Sequence, residues 1–220
     1  DSSSFQNWSG KVTYALLALS YMLGATPSSY WVSRLVRGID LREHGSGNLG
    51  ATNVFRIVGP GWAVPVMIVD VAKGFFPVWF FPGLIGANFG WTLAFGGAAI
   101  FGHIFSFWVG FKGGKGVATS AGVLLAIAPW AVLGCFVVWC ALTLPTGYVA
   151  LGSIGAAATL PIFVAVTPHQ GGQGLIWFSV TLAFFVIWAH RSNLKRLLAG
   201  TESRFGQDGA PNSDEQRELA

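Results

Sequence analysis

Residues 116–190 contain no Asp, Glu, Lys or Arg. A soluble domain carries about 25% charged residues, so a run of this length cannot present an ordinary water-facing surface. The scarcity extends to the whole chain, in which 10% of the 220 residues are charged and 53% are hydrophobic, with a mean hydropathy of +0.57. These properties imply an all-α polytopic membrane protein, because a bilayer span takes about 20 apolar residues. The apolar excess excludes a disordered chain in spite of 30 glycines and 10 prolines. Cys135 and Cys140 lie inside an apolar run and are read as core packing, not as a disulfide or a zinc ligand pair. Lys11 and the apolar run after it are read as a retained helix, since no small-residue cleavage site precedes the first polar loop. Residues 1–206 are expected to form one membrane domain, with 207–220 a polar tail, disordered or left over from expression.

The remaining charge is sorted. Apolar segments run over 12–33, 61–81, 91–111, 117–144, 146–166 and 175–189, and three basic segments, 34–59, 112–116 and 191–206, lie between or after them. Those three hold ten of the 13 Lys and Arg residues, whereas 82–90 and 167–174 hold none. Short cytoplasmic loops carry the excess of Lys and Arg, which places the basic segments together on the cytoplasmic side. An odd number of crossings must then lie between residues 117 and 166. Two arrangements satisfy this parity: seven helices, some of them short, or five spans plus a re-entrant segment. Seven brings Ser153 to the basic face, and five leaves it near the outer one.

Each basic segment carries polar chemistry. The first, GIDLREHGSGNLGATNVFRIVG, interleaves Gly45 and Gly47 with Ser46, Asn48, Thr52 and Asn53 between Arg42 and Arg56. Glycine allows close backbone approach, and successive N–H groups can form an anion-binding concavity that hydroxyls, amides and arginines complete. The second, GFKGGKGVATS, lacks the spacing of a nucleotide-binding P-loop, because three residues separate Gly110 from Gly114 and Gly116 follows Lys115 where a hydroxyl is required. It keeps the physics of that loop: Gly113, Gly114 and Gly116 precede a helix, with Lys112 and Lys115 beside them, and this favours a phosphate. In the third, AHRSNLKRLLAGTESRFG, His190 and Asn193 share a helix face, and His190 is the best placed of the four histidines for proton or hydrogen-bond work. His44 is a weaker candidate, His103 is read as helix packing and His169 falls on an outer loop. Asp70 and Lys73 lie in the second apolar segment, where charge is costly unless paired, and are read as a structural ion pair.

Three motifs in order, GIDLREHGSGNLGATNVFR, GHIFSFWVGFKGGKGVATS, and HRSN with GTESRFG, resemble the bacterial membrane glycerol-3-phosphate acyltransferases that take their acyl group from acyl phosphate. The resemblance runs from the first helix to about residue 206 and selects the seven-helix arrangement. It implies catalytic roles for Ser46, Arg56, Lys115, Ser153, His190 and Asn193, phosphate binding by the glycine loop, and a structural role for Glu202. Arg42, Gly45, Gly47, Asn48, Thr52, Asn53, Lys112, Gly113, Gly114 and Gly116 are the expected substrate and phosphate contacts. The implied partners are acyl phosphate, glycerol 3-phosphate and the lipid bilayer, with no metal, cofactor or nucleic acid. The implied location is the inner membrane of a bacterial cell, with the site facing the cytoplasm. A transporter or flippase for an organophosphate would also want basic loops. Yet transporters place their sites at the bilayer midplane between repeats, whereas here no repeat is visible and the polar groups cluster at one face.

Overall fold

The computed structural model describes residues 2–205, so the tail expected from residue 207 lies outside the described residues. Among the described residues the regular structure is helical throughout. The first apolar segment does not run unbroken to residue 33. Pro27 lacks a backbone N–H and cannot continue a helix, so α1 (Ser2–Ala25) stops and α2 (Ser28–Arg37) starts afresh as a short amphipathic helix. Gly38, at φ 71°, closes α2 by donating its N–H to the Arg34 carbonyl. A loop then leads to α3 (Ala51–Ile57) and α4 (Pro60–Ile85).

After α5 (Phe89–Ile104) and the glycine loop, the stretch whose crossings parity left open divides into three helices: α6 (Val117–Ile127), α7 (Pro129–Thr146) and α8 (Val149–Val166). Pro129 sits at the first turn of α7, where its missing N–H does no harm. Gly147, in the left-handed region at φ 75°, ends that helix. The chain finishes with α9 (Gly172–Ala189) and the short α10 (Arg191–Leu198). Among the described residues five helices are long and apolar enough to cross a membrane: α4, α5 with its continuation to Val109, α7, α8 and α9. Their outward faces carry large apolar side chains, with Phe184 76% exposed and Phe136 58% exposed, as befits a surface solvated by lipid tails.

Helix α4 is the organising element and packs against α6, α5 and α1, while α7, α8 and α9 continue the bundle. Between lipid-embedded helices, association relies on close packing rather than on the hydrophobic effect, so small residues mark the crossings. A Cβ at Gly74 would overlap the Thr119 carbonyl oxygen, and one at Gly122 the Val71 carbonyl oxygen, so α4 and α6 meet backbone to backbone. Gly122→Val is therefore expected to destabilise the bundle by at least 1–3 kcal/mol, the usual cost of overpacking. Thermal unfolding in detergent checks this. Gly83→Ala, which has open space around its Cβ, should leave the midpoint in place.

Only about 16 Å long at 1.5 Å per residue, α6 starts level with Gly74, roughly 20 Å along α4. This late start sets the glycine loop into the end of the bundle instead of on its rim. A second, smaller apolar cluster of Leu41, Leu49, Val54, Val58, Ala63, Val66 and Val109 packs beneath the loops at that same end.

Candidate active site

The first loop is shaped by two residues that sequence reasoning treated as ligands. Arg42 donates from Nε and Nη2 to the Asp40 carboxylate, at 3.0 and 2.6 Å, and from Nη1 to the Val109 carbonyl at 3.1 Å, with its guanidinium over the Tyr30 ring. The bonds from Arg42 hold the Asp40 carboxyl down at about 2. Asn53 is buried and bridges the loop: its Nδ2 donates to the Leu41 and His44 carbonyls, and its Oδ1 accepts the Ser46 N–H at 3.1 Å. Gly45 and Gly47 take the left-handed turns, φ 58° and 68°, that present Ser46 at the exposed tip. Asn48 and Thr52 are half-buried on the flank of this loop, and Lys112 is exposed beside the second.

The two loops touch. A Cβ at Gly114 would lie 2.8 Å from the Leu49 carbonyl oxygen, and one at Gly113 would overlap the carbonyl oxygen of His103. The Gly113 N–H is held by the Ile104 carbonyl at 2.9 Å, and Gly116, at φ 80°, turns the chain into α6. This arrangement delivers Lys115 to the third motif, where its Nζ donates to Asn193 Oδ1. Asn193 Nδ2 donates in turn to Glu202 Oε1 at 2.7 Å, and Arg196 Nε donates to Glu202 Oε2 at 2.8 Å.

Arg56 reaches the same place from α3. Its Nη2 donates to the Ser203 carbonyl at 3.1 Å, while its Nε is buried without a partner among the described residues. Lys115 is lowered to about 8, chiefly by burial; Glu202 opposes the shift, and the charges of Arg196 and Arg56 add to it. His190 is lowered to about 4, again first by burial and next by the Lys115 charge. Its Nδ1 lies 2.8 Å from the Val186 carbonyl. A carbonyl can only accept, so Nδ1 carries the proton and Nε2 keeps its lone pair.

Ser153 is buried in the second turn of α8, with its Oγ donating to the Val149 carbonyl at 2.9 Å. The start of α8 lies at the basic end, because Phe205 N–H donates to the Gly147 carbonyl at 2.6 Å and Arg204 stands over the Tyr148 ring. The closing strap was not foreseen: besides these two contacts, Phe205 stacks on Phe55 with centroids 4.2 Å apart. The signal for it in the sequence is GTESRF, residues 200–205, of which only Glu202 carries an expected role.

Arg56 and Lys115, both half-buried, thus converge near the Glu202 carboxylate, and the Nε of Arg56 is buried without an acceptor among the described residues. Buried polar groups are normally satisfied, so the arrangement suits an anion placed between Arg56 and Lys115. Fold and site together define an integral membrane protein with a cluster of Lys, Arg, His and Asn side chains at one end of its helical bundle. Residues 14–200 match the family model described as glycerol-3-phosphate acyltransferase, and the chain belongs to that family of membrane acyltransferases. A glycerol-3-phosphate acyltransferase of Desulforudis audaxviator is 43% identical over 195 residues, covering 86% of this chain and 94% of that protein. One from Synechococcus sp. (strain JA-3-3Ab) is 45% identical over 203 residues, covering 89% and 96%. Among solved structures, the glycerol 3-phosphate form of PlsY (YgiH), an integral membrane glycerol 3-phosphate acyltransferase, superposes with a TM-score of 0.81 at 37% identity over 89% of this chain and 96% of that one. Its lysophosphatidic acid form gives 0.78 at 36% identity, over 90% and 97%.

Proposed function

We propose that this enzyme transfers an acyl group from acyl phosphate to the primary hydroxyl of glycerol 3-phosphate, at the cytoplasmic face of a bacterial inner membrane that its bundle crosses seven times. The hydroxyl oxygen attacks the acyl carbonyl carbon, the bond to the phosphate oxygen breaks, and phosphate leaves with the electron pair. The products are 1-acylglycerol 3-phosphate and inorganic phosphate. The observation that carries this reading is the buried, unpartnered Arg56 Nε beside Lys115, a pair of cations suited to phosphate oxygens. The apolar bundle provides for the acyl chain at about 0.8 kcal/mol per buried methylene.

Transfer is direct. Ser153 Oγ is bonded to a backbone carbonyl, and His190 Nδ1 faces a carbonyl where a nucleophile triad would have a carboxylate. Held at about 4, His190 is a weaker base than a phosphate group, whose second ionisation lies near 6. The departing phosphate is therefore the better acceptor of the hydroxyl proton, and His190 Nε2 serves to orient. Ser46, Ser153 and Asn193 position the substrates, and Glu202 fixes Asn193 and Arg196.

The test uses purified protein in detergent, where no membrane separates two compartments. Phosphate release from palmitoyl phosphate should require glycerol 3-phosphate. An acyl group trapped covalently on Ser46 or Ser153 would exclude direct transfer.

The pH profile of kcat/KM gives a separate check. A lysine is charged below its pKa, so glycerol 3-phosphate capture should decline as pH rises through about 8 and Lys115 loses its proton. Lys115→Arg, charged throughout, should abolish that alkaline limb. On the acid side His190 stays neutral down to about 4, so a decline near pH 6 belongs to substrate phosphate and should persist in His190→Asn.

A further inference from the structure

We propose that Asp70, Lys73 and His103 are positioning residues of the acyl-transfer site, holding the backbone of Gly113 and Gly114 from within the bundle and, through it, Lys115. This rests on the reading that the glycine loop receives the phosphate of glycerol 3-phosphate.

Asp70 and Lys73 are almost fully buried, at 1% and 7% exposure, with Lys73 Nζ 2.7 Å from Asp70 Oδ1. A buried ion pair is weak evidence for stability, since apolar residues of the same volume often serve as well. What these two charges touch is more informative than their pairing. Asp70 Oδ1 accepts the Ser28 hydroxyl at 2.7 Å, and Lys73 Nζ donates to the Thr26 carbonyl at 2.8 Å, so the pair anchors the turn between α1 and α2. His103 Nδ1 stands 3.8 Å from the same carboxylate oxygen.

The opposite edge of the His103 ring faces the site. Its Nε2 occupies the space that a Cβ on Gly114 would need, and its carbonyl accepts the Gly114 N–H at 3.2 Å. Ser28, Leu49, Lys73, His103, Gly113 and Gly114 line one small cavity. Beyond it the chain passes directly to Lys115 and so to Asn193. The late start of α6 makes this possible, because it lowers the glycine loop to the level of Lys73 in mid-α4. The charges that look misplaced in the middle of an apolar helix therefore lie directly behind the loop that handles the anionic substrate. Asp70 and Lys73 meet Ser28, Thr26 and His103, and His103 meets Gly114, so the pair acts on the loop backbone through the His103 ring.

The test variant is the double substitution Asp70→Asn with Lys73→Met, which removes both charges and leaves neither unpaired. It is compared with His103→Ala and with His103→Gln, whose amide can restore a polar tip near Gly114. Amide hydrogen exchange over residues 110–116 is measured on substrate-free protein in detergent, and KM and kcat are measured for both substrates. The double variant and His103→Ala should exchange about tenfold faster over 110–116 and show a KM for glycerol 3-phosphate raised about tenfold. The KM for palmitoyl phosphate should stay within about twofold, and His103→Gln should return close to wild type. Unchanged exchange in a folded variant overturns the proposal. Faster exchange with an unmoved KM for glycerol 3-phosphate overturns instead the assignment of the loop as its phosphate site. If the double variant does not elute as folded protein, the His103 pair makes the same comparison.

Discussion

Arg56→Ala is expected to lower kcat/KM by roughly 10² to 10³, or about 3–4 kcal/mol, as removal of a preorganised donor to developing charge does elsewhere. The size of the effect follows from how Arg56 is held. Its Nη2 is anchored on the Ser203 carbonyl 147 residues away in sequence, and its Nε is buried with no acceptor among the described residues. The side chain is thus fixed in advance, with one donor in reserve. Lysine should not rescue it, because a point charge on a flexible stem cannot both hold Ser203 and present a second donor. The variant also carries a signature separate from rate. Arg56 helps to depress Lys115, so removing it should move the alkaline limb of the pH profile upward. A rate within tenfold of wild type, with that limb unmoved, would take Arg56 out of the site.

Gly113→Ala should be nearly as damaging, and for a reason of space. The added methyl would overlap the His103 carbonyl oxygen and stand 2.8 Å from that of Ile104, both of them backbone atoms that cannot swing aside. The loop must move, breaking the Gly113 bond to Ile104 and drawing Lys115 away from Asn193. From the sequence, substitution here is expected mainly to weaken affinity for glycerol 3-phosphate. The structure enlarges the expectation to a loss of about 10² in kcat/KM with kcat itself reduced, because a displacement near 1 Å is enough to cost that much. Steady-state kinetics on folded protein separates the two, since weakened affinity alone would raise KM and leave kcat in place.

What the sequence reveals here tracks how local the cause is. The placement of Lys and Arg identifies the face on which the motifs gather. Parity leaves two arrangements for residues 117–166, and the breaks at Pro129 and Gly147 divide that stretch into α6, α7 and α8. The break at Pro27 is hard to read because no charge marks it: Thr26, Ser28 and Ser29 around it are uncharged and sit in an otherwise largely apolar stretch. Arg42 reads as a phosphate contact by composition, and the structure adds a local partner, the carboxylate of Asp40 two positions earlier at 2.6 Å. Asn53 reads as a binding residue, and in the structure its side-chain amide also bridges the loop backbone at Leu41, His44 and Ser46. Asp70, Lys73 and His103 are a different case. Their relation to the glycine loop depends on how far α6 is shifted along α4, a tertiary offset that no periodicity encodes.

The strap from Glu202 to Phe205 also sets an order of events. It joins α3, the turn between α7 and α8, and α10, so Arg56 and Lys115 acquire their neighbours only when Glu202 and Ser203 are in place. A nascent chain with its first helices already in the bilayer would hold two loose cations and no organised centre. The centre is thereby organised only once this strap has docked, and trimming the chain before Thr201 should leave an inserted bundle without activity.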